Sequence, residues 1–394
     1  MSVKIIIPRT FVKMLFTFTL ILSLVSNFTF STEPAQPAEP VEKPEPAKTS
    51  TPAQANRDTT TWFNVKDWSL EGKPFRQTER FFDRLPAKAK NVVRPPVWSL
   101  SQHSAGMCVF FKTDAPEIHA RWHLLSPSLA MDHMPATGVS GLDLYARDDQ
   151  GNWRWLAIGR PTQQKMQAKL VNGIEPTLRE YMIYLPLYNG LELLEIGVPK
   201  NAQFTPIPPR KQKPILFYGT SITQGGCASR PGMCHTAILQ RRLNRPVINL
   251  GFSGNGKMEK EVAQLLAELD PCLYVIECLP NMNAQLVAER TEPLVKIIRQ
   301  ARPDTPIVLV EDRTYSNAAF FPAKQKHHAT NRAALRQAYE NLTAAGIKNL
   351  HYVEGQNLLG ADGTGTVDGS HPTDLGFVRM ADALEPVIKP LILD

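Results

Sequence analysis

Cysteine is scarce in this sequence: Cys108, Cys227, Cys234, Cys272 and Cys278 are all it has. An odd number excludes complete internal pairing. No C-x2-C pair occurs, so a structural zinc site has no spacing to build on. Cys272 and Cys278 sit in an apolar run and read as small core residues. Cys227 and Cys234 share one loop and are candidates for a disulfide in an oxidising compartment, provided the Cα geometry suits. Basic runs interleaved with aromatics are also missing, which removes the footprint of a nucleic-acid surface. The formal net charge is +7, but Lys4, Arg9 and Lys13 lie in an N-terminal leader, and +4 remains without them. A mildly basic surface of that kind suits a soluble enzyme.

Residues 1–31 read as an export signal. A basic segment ends at Lys13, and Met14 to Phe30 follows without a charge. That run is short of the roughly 20 apolar residues a membrane span needs. No A-x-A precedes a cleavage point; Thr29-Phe30-Ser31 is the best small-residue candidate. No cysteine near its end suggests a lipoprotein anchor, and the competing reading is an uncleaved membrane anchor. Residues 32–57 hold Pro, Ala, Glu, Lys and Thr, cannot bury a core, and read as an extended linker.

The 394 residues, 43% of them hydrophobic, suffice for two domains. Over 58–210 the signals are β. Met107 to Phe111 and Glu117 to Leu125 surround a turn at Asp114-Ala115-Pro116. Gly141 to Ala146 and Trp153 to Ile158 flank the hairpin loop Asp148-Asp149-Gln150-Gly151-Asn152. Tyr181 to Leu185 and Leu191 to Ile196 flank Tyr188-Asn189-Gly190. This spacing predicts an antiparallel β-sandwich, ending in the Pro- and Lys-rich segment Thr205 to Lys213. Over 211–394 the pattern becomes α/β. Strands are expected at Ile215 to Tyr218, Val247 to Leu250, Leu273 to Cys278, Ile307 to Val310 and Leu350 to Val353. Helices are expected at Thr236 to Leu243, Met258 to Leu269, Ala284 to Arg302, Ala329 to Ala345 and Asp374 to Ile388. Strands alternating with helices predict a parallel sheet covered on both faces.

In an open α/β sheet, ligands bind beyond the carboxyl ends of the strands. Polar groups converge there: Gly219-Thr220-Ser221, then Gly251-Phe252-Ser253-Gly254-Asn255-Gly256, Pro280-Asn281-Met282, Glu311-Asp312-Arg313, and a last loop with Asp368 and His371. Ser221 is the candidate nucleophile, needing a base that His371 can supply. Asp368, three residues before His371, can orient the ring. The N–H groups of Ser221 and Gly254 and the amide of Asn281 are candidate oxyanion donors. The glycine-rich turn lacks the Gly-Lys-Ser/Thr ending of a P-loop. His327-His328 reads as a solvated helix face.

In this order the motifs resemble those of the SGNH (GDSL-type) hydrolases. Gly219-Thr220-Ser221-Ile222-Thr223 is similar to the first block, with Thr220 where Asp is usual. Asn249-Leu250-Gly251-Phe252-Ser253-Gly254 resembles the second block, Asn281 the third, and Asp368-Gly369-Ser370-His371 the last. Ser140-Gly141-Leu142-Asp143-Leu144-Tyr145 resembles the Gly-x-Asp-Leu-Tyr signature of a β-domain found before some members, whose extended first block Gly225 to Gly232 also resembles. The resemblance implies a flavodoxin-like five-stranded sheet and metal- and cofactor-free hydrolysis of carboxylic esters, with carbohydrate O-deacetylation as the leading expectation. A lipase or thioesterase acting on longer chains, or a non-catalytic glycan-binding protein, are the alternatives. The expected partner is a small-molecule or polysaccharide ester in an exported compartment, with no nucleic acid and no membrane contact beyond an uncleaved leader. Trp122, His133 and Met134 of the β segment are candidates to reach the site.

Overall fold

The computed structural model describes residues 59–392, so the leader at 1–31 and the linker at 32–57 lie outside the described residues. No helix among the described residues is long and apolar enough to cross a membrane.

The N-terminal half is a sandwich of antiparallel strands. In chain order these elements are β1 (Thr60–Asn64), α1 (Pro95–Ser101), β2 (Cys108–Thr113), β3 (Glu117–Leu124), α2 (Ala136–Val139), β4 (Leu142–Arg147), β5 (Trp153–Gly159), β6 (Lys165–Asn172), β7 (Arg179–Tyr184), β8 (Leu191–Pro199) and β9 (Phe204–Ile207). One sheet has the order β1-β8-β3-β6 and the other β5-β4-β7-β2-β9. Strand β3 buries every second residue, so Ile118, Ala120, Trp122 and Leu124 face the space between the sheets. The expected hairpin is there: β4 pairs with β5, closed by the Asp148 N–H on the Asn152 carbonyl at 2.9 Å.

The turn at Asp114 to Pro116 does not make a hairpin. It carries the chain from one sheet to the other, so β2 and β3 never pair. The middle strands β4, β7 and β2 of the second sheet are buried on both faces, which explains the unbroken apolar runs that spell them. Val109, Phe111, Tyr181 and Ile183 enter the sandwich core, while their neighbours Phe110, Met182 and Tyr184 enter a second core shared with the C-terminal half. Strand β9 falls inside the Pro-rich segment that the sequence reads as a terminus. It pairs with β2 at the sheet edge, the place where a proline such as Pro206 is tolerated.

The C-terminal half follows as β10 (Ile215–Gly219), α3 (Ser221–Gln224), α4 (His235–Arg242), β11 (Val247–Gly251), α5 (Lys260–Glu268), β12 (Leu273–Glu277), α6 (Ala284–Ala301), β13 (Ile307–Val310), α7 (Pro322–Ala344), β14 (Leu350–Val353) and α8 (Asp374–Ile388). The strands form one parallel sheet in the order β11-β10-β12-β13-β14. Helices α5, α6 and α7 cover one face, and α4 and α8 the other, where the sandwich also packs. Helix α7 starts seven residues earlier than expected, at Pro322, whose fixed φ suits a first helical position. The chain leaves β10 for β11 on one side and reaches β12 on the other. That reversal is a topological switch point, where such sheets open a crevice.

Candidate active site

Ser221 stands at the switch point. Every residue of β10 is buried, and the strand ends at Gly219. Thr220 is extended and caps α3, its Oγ1 accepting from the Ile222 N–H at 3.3 Å, while Thr223 Oγ1 accepts from the Thr220 N–H at 3.2 Å. This reciprocal cap sets Ser221 on the first turn at 8% exposure. Thr223 in turn donates to Glu277 Oε2 at the end of β12, at 2.9 Å, and His235 Nε2 lies 3.1 Å from the same oxygen.

Ser221 Oγ is 2.8 Å from His371 Nε2, and His371 Nδ1 is 2.7 Å from Asp368 Oδ2. A carboxylate at Nδ1 assigns the proton there and leaves Nε2 as the acceptor for the serine O–H. Asp368 Oδ1 accepts from the His371 N–H at 2.7 Å and the Ser370 N–H at 2.9 Å. Partial burial opposes the Asp368 charge, but these N–H groups and the imidazole outweigh it and hold the carboxyl down at about 2. The loop is pinned from β13: Arg313 Nε donates to the Ser370 carbonyl at 3.0 Å, and its other arms reach Ser370 Oγ and the buried Asp312.

The expected oxyanion donors share one loop and its neighbour. Gly254 has φ +68° and open space where a Cβ would project. Gly256 packs so closely on the end of β10 that a Cβ would lie 1.9 Å from the Gly219 carbonyl. Asn281 faces this loop. Its hydrogen-bond pattern assigns Oδ1 as accepting from the Asn255 N–H at 3.0 Å and the Gly256 N–H at 3.2 Å, which frees the NH2 for an acceptor in the site.

Three residues without a motif hold the loop. Gln224 Oε1 accepts from the Ser253 N–H at 3.0 Å, and its Nε2 donates to the Leu187 carbonyl and to His103 Nδ1, each at 3.0 Å. Arg84 is fully buried and donates to the carbonyls of Asn249, Gly251, Leu100 and His103 at 2.7–3.1 Å. Burial lowers its guanidinium to about 9, still charged at neutral pH. Tyr188 Oη donates to the Ser221 carbonyl at 3.1 Å. Gln224, three residues after Ser221 on a capped turn, was within reach of sequence reasoning; Arg84, far from any motif, was not.

Of the three β-segment candidates, only His133 comes to the site: its ring centroid is 5.5 Å from that of His371. Trp122 is buried in the sandwich core, and Met134 in the core shared by both halves. Cys227 and Cys234 are free thiols. Cys234 Sγ turns to the Pro231 carbonyl at 3.3 Å, whereas Cys227 faces His371 and His133. Burial, with Asp368 nearby, pushes the Cys227 thiol up to about 12, so it is no rival nucleophile. The His327-His328 expectation is corrected. His328 is 3% exposed, its Nδ1 3.1 Å from Asp312 and its Nε2 accepting from the Tyr315 N–H at 3.0 Å.

The Gly-x-Asp-Leu-Tyr segment works as a clamp. Leu142 and Leu144 point into the sandwich, and Asp143 and Tyr145 point the other way. Asp143 Oδ2 accepts from Arg230 Nη1 at 2.8 Å and the Gly232 N–H at 2.7 Å, and Oδ1 from Trp155 Nε1 at 3.0 Å. Burial raises its carboxyl above the ordinary carboxylate range, a shift that Arg230 and the Gly232 N–H offset only in part. The clamped loop is the one that carries Cys227. Beside the Ser253–Asn255 turn, a cavity of about 480 Å3 opens between the halves, lined by Pro96, Leu100, His103, Met131 and Tyr188 among others.

The GDSL-like lipase/acylhydrolase family model matches residues 212–389, and the GxDLY model, the N-terminus of SGNH hydrolase-type esterases, matches residues 60–204. A protein described as a GDSL-like lipase from Bacteroides ovatus is 35% identical, with a TM-score of 0.81 over 84% of this chain and 98% of its own. A salicylyl-acyltransferase from a tetracycline biosynthetic pathway shares the fold at 19% identity and TM-score 0.66, over 85% of this chain and 98% of its own. A family two carbohydrate esterase from Cellvibrio japonicus does so at 14% identity and TM-score 0.55, over 84% and 98%. No curated protein matches the chain by sequence. With both family models in the expected order and a relative of this identity along nearly its whole length, the chain belongs to the GDSL-type SGNH hydrolases in their GxDLY form, and is a hydrolase of ester bonds.

Proposed function

We propose that this protein is an exported serine esterase that releases acyl groups, acetyl foremost, from carbohydrate through an acyl-Ser221 intermediate. The observation that carries the reading is the 2.8 Å approach of Ser221 Oγ to a His371 Nε2 whose opposite nitrogen is held by Asp368. Ser221 Oγ attacks the ester carbonyl, and its proton passes to His371. The developing oxyanion is met by the N–H groups of Ser221 and Gly254 and the NH2 of Asn281, each donor contributing on the order of 10²–10³ in rate. His371 then protonates the leaving alcohol. Water, activated by the same nitrogen, releases the acid and regenerates Ser221.

The carbohydrate half of the reading rests on fold-level analogy to the carbohydrate esterases and on the cavity of about 480 Å3 beside the oxyanion turn, which is far roomier than an acetyl group requires. Export rests on the charge and apolar pattern of residues 1–31. Hydrolysis of a chromogenic acetate tests the chemistry: Ser221→Ala is expected to lose about 10⁴–10⁶-fold in kcat. An acyl-chain series, followed by acetate release from acetylated oligosaccharides, tests the substrate class. Higher kcat/KM for long-chain esters than for acetates would replace the deacetylase reading by a lipase one.

A further inference from the structure

A second chemistry is laid over the catalytic imidazole. His133, Cys227 and His371 each present one ligand atom, and these atoms all lie within 4.8 Å of one another. His133 comes from the turn before α2 in the sandwich and is exposed; Cys227 comes from the clamped loop after α3 and is 6% exposed. The loop holds Cys227 in a left-handed conformation, φ +73°, which an ordinary side chain avoids. It also runs close along the imidazole, since a Cβ on Gly226 would stand 3.3 Å from His371 Cδ2, next to Nε2. The site is thus assembled from both halves of the molecule.

We propose that His133, Cys227 and His371 bind a single soft divalent cation of the zinc type, and that this ion inhibits the enzyme. The donor set decides the class of ion. Two imidazoles and one sulfur select zinc-like metals, whereas magnesium and calcium require oxygen ligands. Zinc–ligand lengths place neighbouring donors of a tetrahedral site roughly 3.3–3.6 Å apart. The closure needed is at most about 1.5 Å, the 4.8 Å bound less that spacing, and the exposed His133 side chain can contribute to it by rotation. Asp368 already completes the arrangement beyond the ligands. Metal-binding imidazoles characteristically pass their second N–H to a carboxylate, and His371 Nδ1 does so at 2.7 Å.

Binding replaces the Cys227 S–H bond by a metal–sulfur bond and releases that proton to water. The Nε2 lone pair that accepts the Ser221 proton becomes a metal bond, and water fills the fourth position. The inhibitory half of the proposal rests on the reading of His371 as the base; the binding half does not.

The full chain is titrated with cobalt(II) for spectroscopy and with zinc for esterase assay, in wild type, Cys227→Ser and His133→Ala. The expected results are a thiolate-to-cobalt charge-transfer band lost in Cys227→Ser, and zinc inhibition reversed by EDTA. The zinc midpoint, read against each variant's own metal-free rate, is expected to rise by at least about tenfold in each variant. His133→Ala alters only an exposed side chain, so its result stands even if Cys227→Ser disturbs the loop. Absence of the band, an unchanged midpoint in both variants, or equal inhibition by magnesium overturns the proposal. A band accompanied by unimpaired hydrolysis overturns the inhibition. Failure of the esterase reading itself shows separately, as activity retained in Ser221→Ala.

Discussion

Asp368 keeps its charge in spite of partial burial, because two backbone N–H groups and an imidazole face its oxygens. Its folded value, about 2, lies below the ordinary 3.8, so its contribution to stability is full above the ordinary value and disappears as pH falls from 3.8 toward 2. Thermal melts of wild type and Asp368→Asn are therefore expected to differ by a constant amount at neutral pH and to converge in that acid window. The same substitution removes the carboxylate that fixes the tautomer, and kcat is expected to drop about 10⁴-fold. Residues with a chemical signature were legible in the sequence: Ser221, Asp368 and His371 meet in space as their order predicts. Residues whose work is to hold backbone were not. Arg84 carries no spacing signal because its partners are carbonyls, which every residue has.

At the scale of elements, the turn from Gly251 to Gly256 closes on its own Phe252 carbonyl, which accepts from the Asn255 and Gly256 N–H groups at 2.8 and 2.9 Å, and is held in place from outside. Gln224 holds the Ser253 N–H, Asn281 reaches the N–H groups of Asn255 and Gly256, and Arg84 holds the carbonyl of Gly251. Arg84→Met leaves several buried carbonyls without a donor and is expected to cost about 3–5 kcal/mol in urea denaturation. Its activity loss is expected in kcat more than in KM, since the turn faces the oxyanion and not the ground-state ester. Parallel strands were readable because strands buried on both faces spell unbroken apolar runs. The same rule made the second sandwich sheet visible but concealed its partners: β2 and β3 are neighbours in sequence and belong to different sheets. Strand β6 was missed because its exposed face dilutes the apolar signal, and β1 because its five residues are half-buried and polar at three positions.

For the whole molecule, the clamp between Asp143 and the Arg230–Gly232 loop is one of several polar joins between the two halves. Asp143 is completely buried, so Asp143→Ala leaves the buried Gly232 N–H without an acceptor and takes the carboxylate from Arg230. The expected cost is about 1–3 kcal/mol. Because the Gly226 N–H at the head of this loop donates to the Ser221 carbonyl at 2.7 Å, esterase activity is expected to fall along with stability. Unfolding monitored by tryptophan fluorescence and residual activity after heating check both.

The middle strands β4, β7 and β2 of the second sandwich sheet have no solvent-facing side of their own; Phe110, Met182 and Tyr184 are buried like the residues behind them. A recombinant catalytic half would be born with a greasy scar, and a recombinant sandwich with its mirror image. The two halves of this chain are therefore expected to fold together, and either one expressed alone to aggregate through the face it has lost.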